Sequence, residues 1–177
     1  MAERFILLTG CSGGGKSTLL SALAARGCAT VPEPGRRIIA EQVAGGGKAL
    51  PWVDMEAFAR RAIEVARSDL AAAQVLEGPV FFDRGLIDAA VALEHCGGGK
   101  VRDTIGELLP YAKRVFVAPP WRTLFVNDAE RQHSFEAAVQ EHMRIEGALD
   151  QLGYEQYVLP KMSVTARADI ILEQCGL

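Results

Sequence analysis

Gly10-Cys11-Ser12-Gly13-Gly14-Gly15-Lys16-Ser17-Thr18 satisfies the pattern G-x-x-x-x-G-K-[ST] at every fixed position. Residues 4–9 before it form an apolar run short enough to be one buried strand, and residues 19–25 after it read as a helix. Strand, glycine-rich turn and helix in that order make a phosphate-binding loop. Without Cβ atoms in the way, successive backbone N–H groups can point inward at anionic oxygens. The first helical turn adds unpaired N–H groups and the positive end of its dipole. On this reading Gly10, Gly13, Gly14 and Gly15 form the cradle, with Lys16, Ser17 and Thr18 opening the helix. Lys16 carries a point charge to the β and γ phosphates and the Ser17 hydroxyl is a Mg²⁺ ligand, so ATP and Mg²⁺ are the expected ligands. The competing reading is a plain glycine turn with a solvated lysine; the complete motif and its flanks favour the nucleotide.

The rest of the composition narrows the class. At 177 residues and 49% apolar, residues 1–177 suit one domain with a sizeable core. The net charge of −3 gives no general attraction to nucleic acid or anionic membranes, so any anion binding is local. The start Met1-Ala2-Glu3-Arg4 has no charged leader followed by a signal-type apolar region, and no apolar run is long enough to span a bilayer, which gives a cytoplasmic expectation. Cys11, Cys28, Cys96 and Cys175 lack metal-ligand spacing, and Cys11 reads as a small filler of the loop. His95, His133 and His142 have no metal spacing either and are expected at the surface.

Further strands are expected over residues 28–31, 79–83, 113–118 and 154–159. Helices are expected over 36–44, from the Asp54 cap to 73, over 86–95 and 101–109, from the Ser134 cap to 152, and from the Ser163 cap to 174. Residues 121–134 read as a loop and short lid. Glu56, Arg60, Glu64 and Arg67 form the solvated face of the long helix. Alternating strands and helices favour a parallel sheet covered on both faces, an α/β/α sandwich, with ligands outside the carboxyl ends of the strands. Gly-Gly-Gly-Lys recurs before residues 49 and 101, but Gln42 and Glu94 replace the first motif glycine, so these copies are flexible loops. Lys48 or Lys100 could still approach a phosphate.

The strand ends supply further candidates. Asp83 closes the run Val80-Phe81-Phe82 and is expected to join Ser17 at the metal. Arg84 is expected in the cleft, clamping substrate or pairing with Glu33. Glu33, held between Pro32 and Pro34, has two open roles: base toward an attacking hydroxyl, or a group that orients Arg84 or substrate. Arg36 and Arg37 open a helix where a cation opposes the dipole, which hints at an anionic partner; a solvated pair is the alternative. In the lid, Arg122 and Arg131 are candidates to meet charge on the γ phosphate, with Arg131 preferred.

With these residues in view, the chain resembles the P-loop AAA-type domain shared by ribosylnicotinamide kinase and related ATPases. The likeness lies in residues 10–18, Val31-Pro32-Glu33-Pro34-Gly35-Arg36-Arg37, Phe81-Phe82-Asp83-Arg84-Gly85, Asn127-Asp128-Ala129-Glu130-Arg131 and the closing segment 163–172. Deoxynucleoside kinases show a similar Glu-Pro, where the glutamate is the base, and thymidylate kinases a similar Glu-Pro-Gly and Asp-Arg. The resemblance implies five parallel strands in the order 2-3-1-4-5 and transfer of the ATP γ-phosphoryl group to a small, nucleoside-like hydroxyl acceptor. The short lid has few arginines, unlike that of a nucleoside monophosphate kinase, which stays as an alternative. A regulatory ATPase without an acceptor is another; the absence of Asn-Lys-x-Asp argues against a standard GTPase.

Overall fold

The computed structural model describes residues 2–107, 109–125 and 134–177. Its sheet contains β1 (Phe5–Gly10), β2 (Ala29–Val31), β3 (Val80–Asp83), β4 (Arg114–Ala118) and β5 (Glu155–Val158), all parallel and in the order β2-β3-β1-β4-β5. This is the expected order. The helices are α1 (Lys16–Ala24), α2 (Pro34–Gly45), α3 (Met55–Ala72), α4 (Leu86–His95), α5 (Val101–Ile105), α6 (Phe135–Leu152) and α7 (Val164–Gln174). They cover both faces of the sheet, giving a three-layer α/β/α sandwich.

Alternation along the central strands divides the core. Phe5 and Leu7 of β1, Val80 and Phe82 of β3, and Val115 and Val117 of β4 pack with α3, α4 and α6. Ile6, Leu8, Phe81 and Phe116 point the other way, to α1 and α7. Both faces are buried, so these strands read as unbroken apolar runs. Register then fixes the site: Leu8 lies opposite Asp83, Val31 opposite Phe82 and Gly10 opposite Ala118. The phosphate loop, Glu33 and Asp83 therefore emerge from one edge of the sheet.

The expected caps are present. Asp54, Ser134 and Ser163 accept from the N–H groups of Ala57, Ala137 and Ala166 at 2.9, 3.1 and 3.2 Å. Along α3, Glu56 pairs with Arg60 and Glu64 with Arg61 on its exposed face. The helix expected over 101–109 stops at Ile105, because Gly106 takes φ 80° and turns the chain out. Lys100 is tied to Glu94 at 3.1 Å, at the end of α4 that points away from the loop. Within the expected lid, Arg122–Leu124 form one 3₁₀ turn. Residues 126–133, and with them Arg131 and His133, lie outside the described residues. Among the described residues no helix is long and apolar enough to cross a membrane.

His142 corrects the surface expectation: it is buried, with Nε2 3.4 Å from Glu146. The spacing of Ala138, His142, Ile145 and Leu149 places it on the packed stripe of α6. Burial lowers its pKa, Glu146 opposes that, and Lys16 and Arg84 reinforce it. The unfolded chain takes up the proton near its ordinary value of 6.5 and the folded chain resists, so this group costs stability as pH falls below 6.5. Urea unfolding at pH 7.5 and 5.5 should show a smaller loss on acidification in His142→Phe than in the parent; equal losses would contradict the assignment.

Candidate functional site

The phosphate loop crosses the end of β4 with no room for side chains. A Cβ on Gly10, whose φ is 107°, would stand 2.4 Å from the Ala118 carbonyl oxygen. One on Gly14 would stand 2.9 Å from the Ala118 Cβ, and Cys11 N–H donates to Ala118 O at 2.9 Å. Cys11 is wholly buried, as a filler should be. Gly13 and Gly15 continue the turn into α1, where Ser17 and Thr18 are exposed.

Lys16 folds back across this turn. Its buried Nζ donates to Cys11 O at 2.8 Å and lies 3.4 Å from Gly10 O. Burial lowers its pKa and the Arg84 charge adds to that, against Asp83, Glu33 and Asp88. Ser17 Oγ donates to Asp83 Oδ2 at 2.7 Å, so α1 and β3 bring together the two expected metal ligands. The other carboxylate oxygen, Asp83 Oδ1, is buried without a hydrogen-bond partner among the described residues. A hydroxyl beside a half-satisfied carboxylate fits a hard divalent cation whose other ligands are phosphate oxygens and water.

Arg84 is the hub of the site. Its N–H donates to Leu8 O at 2.8 Å, and its φ of 56° turns the chain from β3 toward α4. The guanidinium lies 2.8 Å from Glu141 Oε1, 3.5 Å from Asp88 Oδ1 and 3.6 Å from Glu33 Oε1. It also donates to Gly10 O at 3.3 Å. Burial disfavours its charge, but Glu141, Glu33 and Asp88 outweigh that and hold it protonated. Asp88 accepts from the Thr9 hydroxyl and from Gly85 N–H, and burial raises its pKa against the pull of Arg84.

Glu33 stands at the N-cap of α2 without capping it. Its carboxylate turns instead toward Arg84 and Arg36, each 3.6 Å away. The side chain keeps 25% of its exposure, and desolvation in the cleft, with Asp83 nearby, raises its pKa against Arg84. Arg37, flagged as a possible anion ligand, is committed to Asp69 on α3. Arg36 faces the cleft.

Beside this cluster lies a cavity of about 350 Å³ between α2, α3, α4 and α6, with Glu33, Arg84 and Glu141 in its wall and Ile39, Phe58 and Ala62 among its apolar residues. A second hollow, about 410 Å³, adjoins the loop's other side and is lined by Trp121, Leu124, Met162 and Arg167. Arg167 is buried, donates to Gly14 O at 3.0 Å and lies 5.4 Å from the Trp121 ring centre.

Asp88, Glu141, Arg144 and Arg167 also belong to the site, although no strand end or motif marks them. Asp88 had a signal, an acid three residues into a helix whose first N–H it receives. Glu141 is 57 residues from Arg84, and no local pattern links them.

The sequence model of a family described as an AAA domain matches residues 5–167. A search of the curated proteins finds no match. Among solved structures, deoxyadenosine kinase from M. mycoides, with dCMP and dCDP bound, is 15% identical, with a TM-score of 0.63 over 97% of this chain and 98% of that one. The NadR protein in complex with NR is 20% identical at a TM-score of 0.71, and this chain spans 52% of its length. Shikimate kinase from Acinetobacter baumannii, with shikimate, is 14% identical at 0.57, covering 97% of this chain and 92% of that one. At these identities the likeness is one of fold.

The three carboxylates around one guanidinium set a stability prediction. Arg84→Met should cost roughly 3–5 kcal/mol at pH 7 in urea unfolding, since it leaves buried acids unpaired. The loss should shrink as pH falls toward the carboxylate range, because the raised pKa values let Glu33 and Asp88 take up protons earlier than ordinary carboxylates. A loss under about 1 kcal/mol would show the cluster to be solvated.

Proposed function

We propose that this chain, which belongs to the AAA-domain family, transfers the γ-phosphoryl group of Mg-ATP to a hydroxyl of a small, nucleoside-like acceptor. One observation carries the reading: Glu33, Arg84 and a cavity of small-molecule size meet at the mouth of the phosphate loop. A nucleotide-dependent regulator needs the loop and Asp83 but has no use for an acceptor-sized cavity with a desolvated carboxylate in its wall. Deoxyadenosine kinase and the NadR protein, bound to dCMP and NR, share the fold and support this choice.

In this reaction the glycine turn and the first turn of α1 receive the β and γ phosphates. Lys16 leaves its loop carbonyls for the phosphate oxygens, a short move for a side chain already over the turn. Ser17 and Asp83 would hold Mg²⁺, which neutralises phosphate charge when bound. The nucleotide base rests in the hollow by Trp121 and Met162, where Arg167 braces both the ring and the loop. Glu33 takes the acceptor hydroxyl's proton as that oxygen bonds to the γ phosphorus and the bond to the β-phosphate oxygen breaks, giving ADP and a phosphorylated acceptor. Arg84 orients Glu33 and stabilises charge near the transferring group, and Arg131 is the proposed lid cation. A carboxylate with a raised pKa is the better base for this step, provided that it is ionised at the working pH.

Lys16→Ala should lose most nucleotide affinity and turnover, by about a hundredfold or more. Glu33→Gln should keep ATP binding while kcat falls by roughly 10²–10⁴; unchanged turnover would exclude the base role. Because only ionised Glu33 can accept the proton, kcat/KM should fall as pH drops through the raised pKa of the free protein, with the acid limb above the ordinary carboxylate range of about 4.3. A limb at or below that range in a pH profile would contradict the role.

A further inference from the structure

The acceptor cavity has two chemically unlike ends. At the loop end Glu33, Asp88 and Glu141 surround Arg84. From there α4 contributes Gly85, Asp88, Ala92 and His95 to the wall, and α6 contributes Ala137, Glu141 and Arg144. These steps of three and four residues run one stripe of each helix along the cavity. At a rise of about 1.5 Å per residue, the stripe on α4 carries the wall about 10 Å from Asp88 to His95, and Arg144 lies about 4.5 Å beyond Glu141 along α6. Because Glu141 is locked to Arg84, Arg144 falls past the carboxylate cluster, toward the far end.

Arg144 is also electrostatically odd. Each of the other described arginines has an ion pair or a hydrogen bond. Arg144 has neither among the described residues. Nor is it on the solvated stripe of α6: it is half-buried and lines the cavity, while its neighbour Met143 is exposed. A guanidinium offers five N–H donors and a fixed charge, and here no oxygen of the described residues receives them.

We infer that the acceptor carries an anionic group, a carboxylate or a phosphate, on the side of the molecule away from the hydroxyl that is phosphorylated, and that Arg144 binds it. The hydroxyl then lies by Glu33, the body of the acceptor lies against Phe58, Ile39 and Ala89, and the anion meets Arg144. A bidentate pair to a carboxylate or phosphate fixes orientation as well as affinity, so Arg144 selects the acceptor and takes no part in transfer. This inference rests on the phosphotransfer reading and narrows it.

Three matched pairs of hydroxyl compounds test it: ribosyl pyridine-3-carboxylate with its carboxamide, shikimate with its methyl ester, and ribose 5-phosphate with ribose. Calorimetric binding and ATP-dependent turnover are measured for each, in the parent, Arg144→Gln and Arg144→Lys. The anionic member of at least one pair should bind and turn over with a KM at least tenfold below its neutral partner. Arg144→Gln should erase that preference through KM with kcat retained, and Arg144→Lys should restore part of it. The first two pairs against the third distinguish carboxylate from phosphate. Turnover of neutral members that Arg144→Gln leaves unchanged, or no binding of any anionic member, would overturn the inference. In the first of these outcomes phosphotransfer itself would stand. Binding of an anion without turnover of any compound would count for Arg144 and against phosphotransfer.

Discussion

One guanidinium holds this cleft in shape. Arg84 receives carboxylates from the start of α2, the first turn of α4 and the middle of α6, three elements with no shared local sequence. Its own backbone is pinned by the N–H bond to Leu8 O and lies at φ 56°, a conformation that is uncommon for a residue with a Cβ. Fixed to the sheet in this way, Arg84 sets how close the helices stand to the phosphate loop. It also donates to Gly10 O, so the loop and the acceptor cavity share a support. In the proposed reaction this coupling aligns Glu33 with the γ phosphate, where small displacements are costly.

The same cluster balances charge. Glu33 and Asp88 sit where burial opposes ionisation, and the Arg84 charge works against that rise. Lys16 feels Arg84 as a like charge and the surrounding acids as opposite ones. A polyphosphate entering the loop would meet a desolvated Lys16 ammonium that has only to leave the Cys11 and Gly10 carbonyls, beside an Asp83 Oδ1 without a hydrogen-bond partner among the described residues. Preorganised charge of this kind needs little rearrangement at the moment of reaction.

Much of the fold was legible because local signals agreed. Apolar runs marked the central strands β1, β3 and β4, while β2 and β5 are short and half-exposed, and Asp54, Ser134 and Ser163 marked three helix starts where caps are found. The one helix drawn too long failed at Gly106, a residue whose positive φ ends it. Residues next to a strand end, Glu33, Asp83 and Arg84, were findable because topology alone puts them at the ligand edge. Glu141, Arg144 and Arg167 were not, since their partners or cavity lie far away in sequence. Residue type alone puts His142 at the surface, whereas its helical phase with Ala138, Ile145 and Leu149 puts it inside.

In the proposed reaction the cavity beside Glu33 holds the hydroxyl that receives the phosphoryl group. The direct measurement follows γ-labelled ATP with Mg²⁺, with and without each compound of a panel of nucleosides and other hydroxylated metabolites, and asks where the label goes. The expected result is slow release of labelled inorganic phosphate without an acceptor, and strong stimulation with label on the added compound for at least one class of acceptor. Unchanged slow hydrolysis across the whole panel, with no labelled acceptor, would contradict it and point to a nucleotide-dependent regulator.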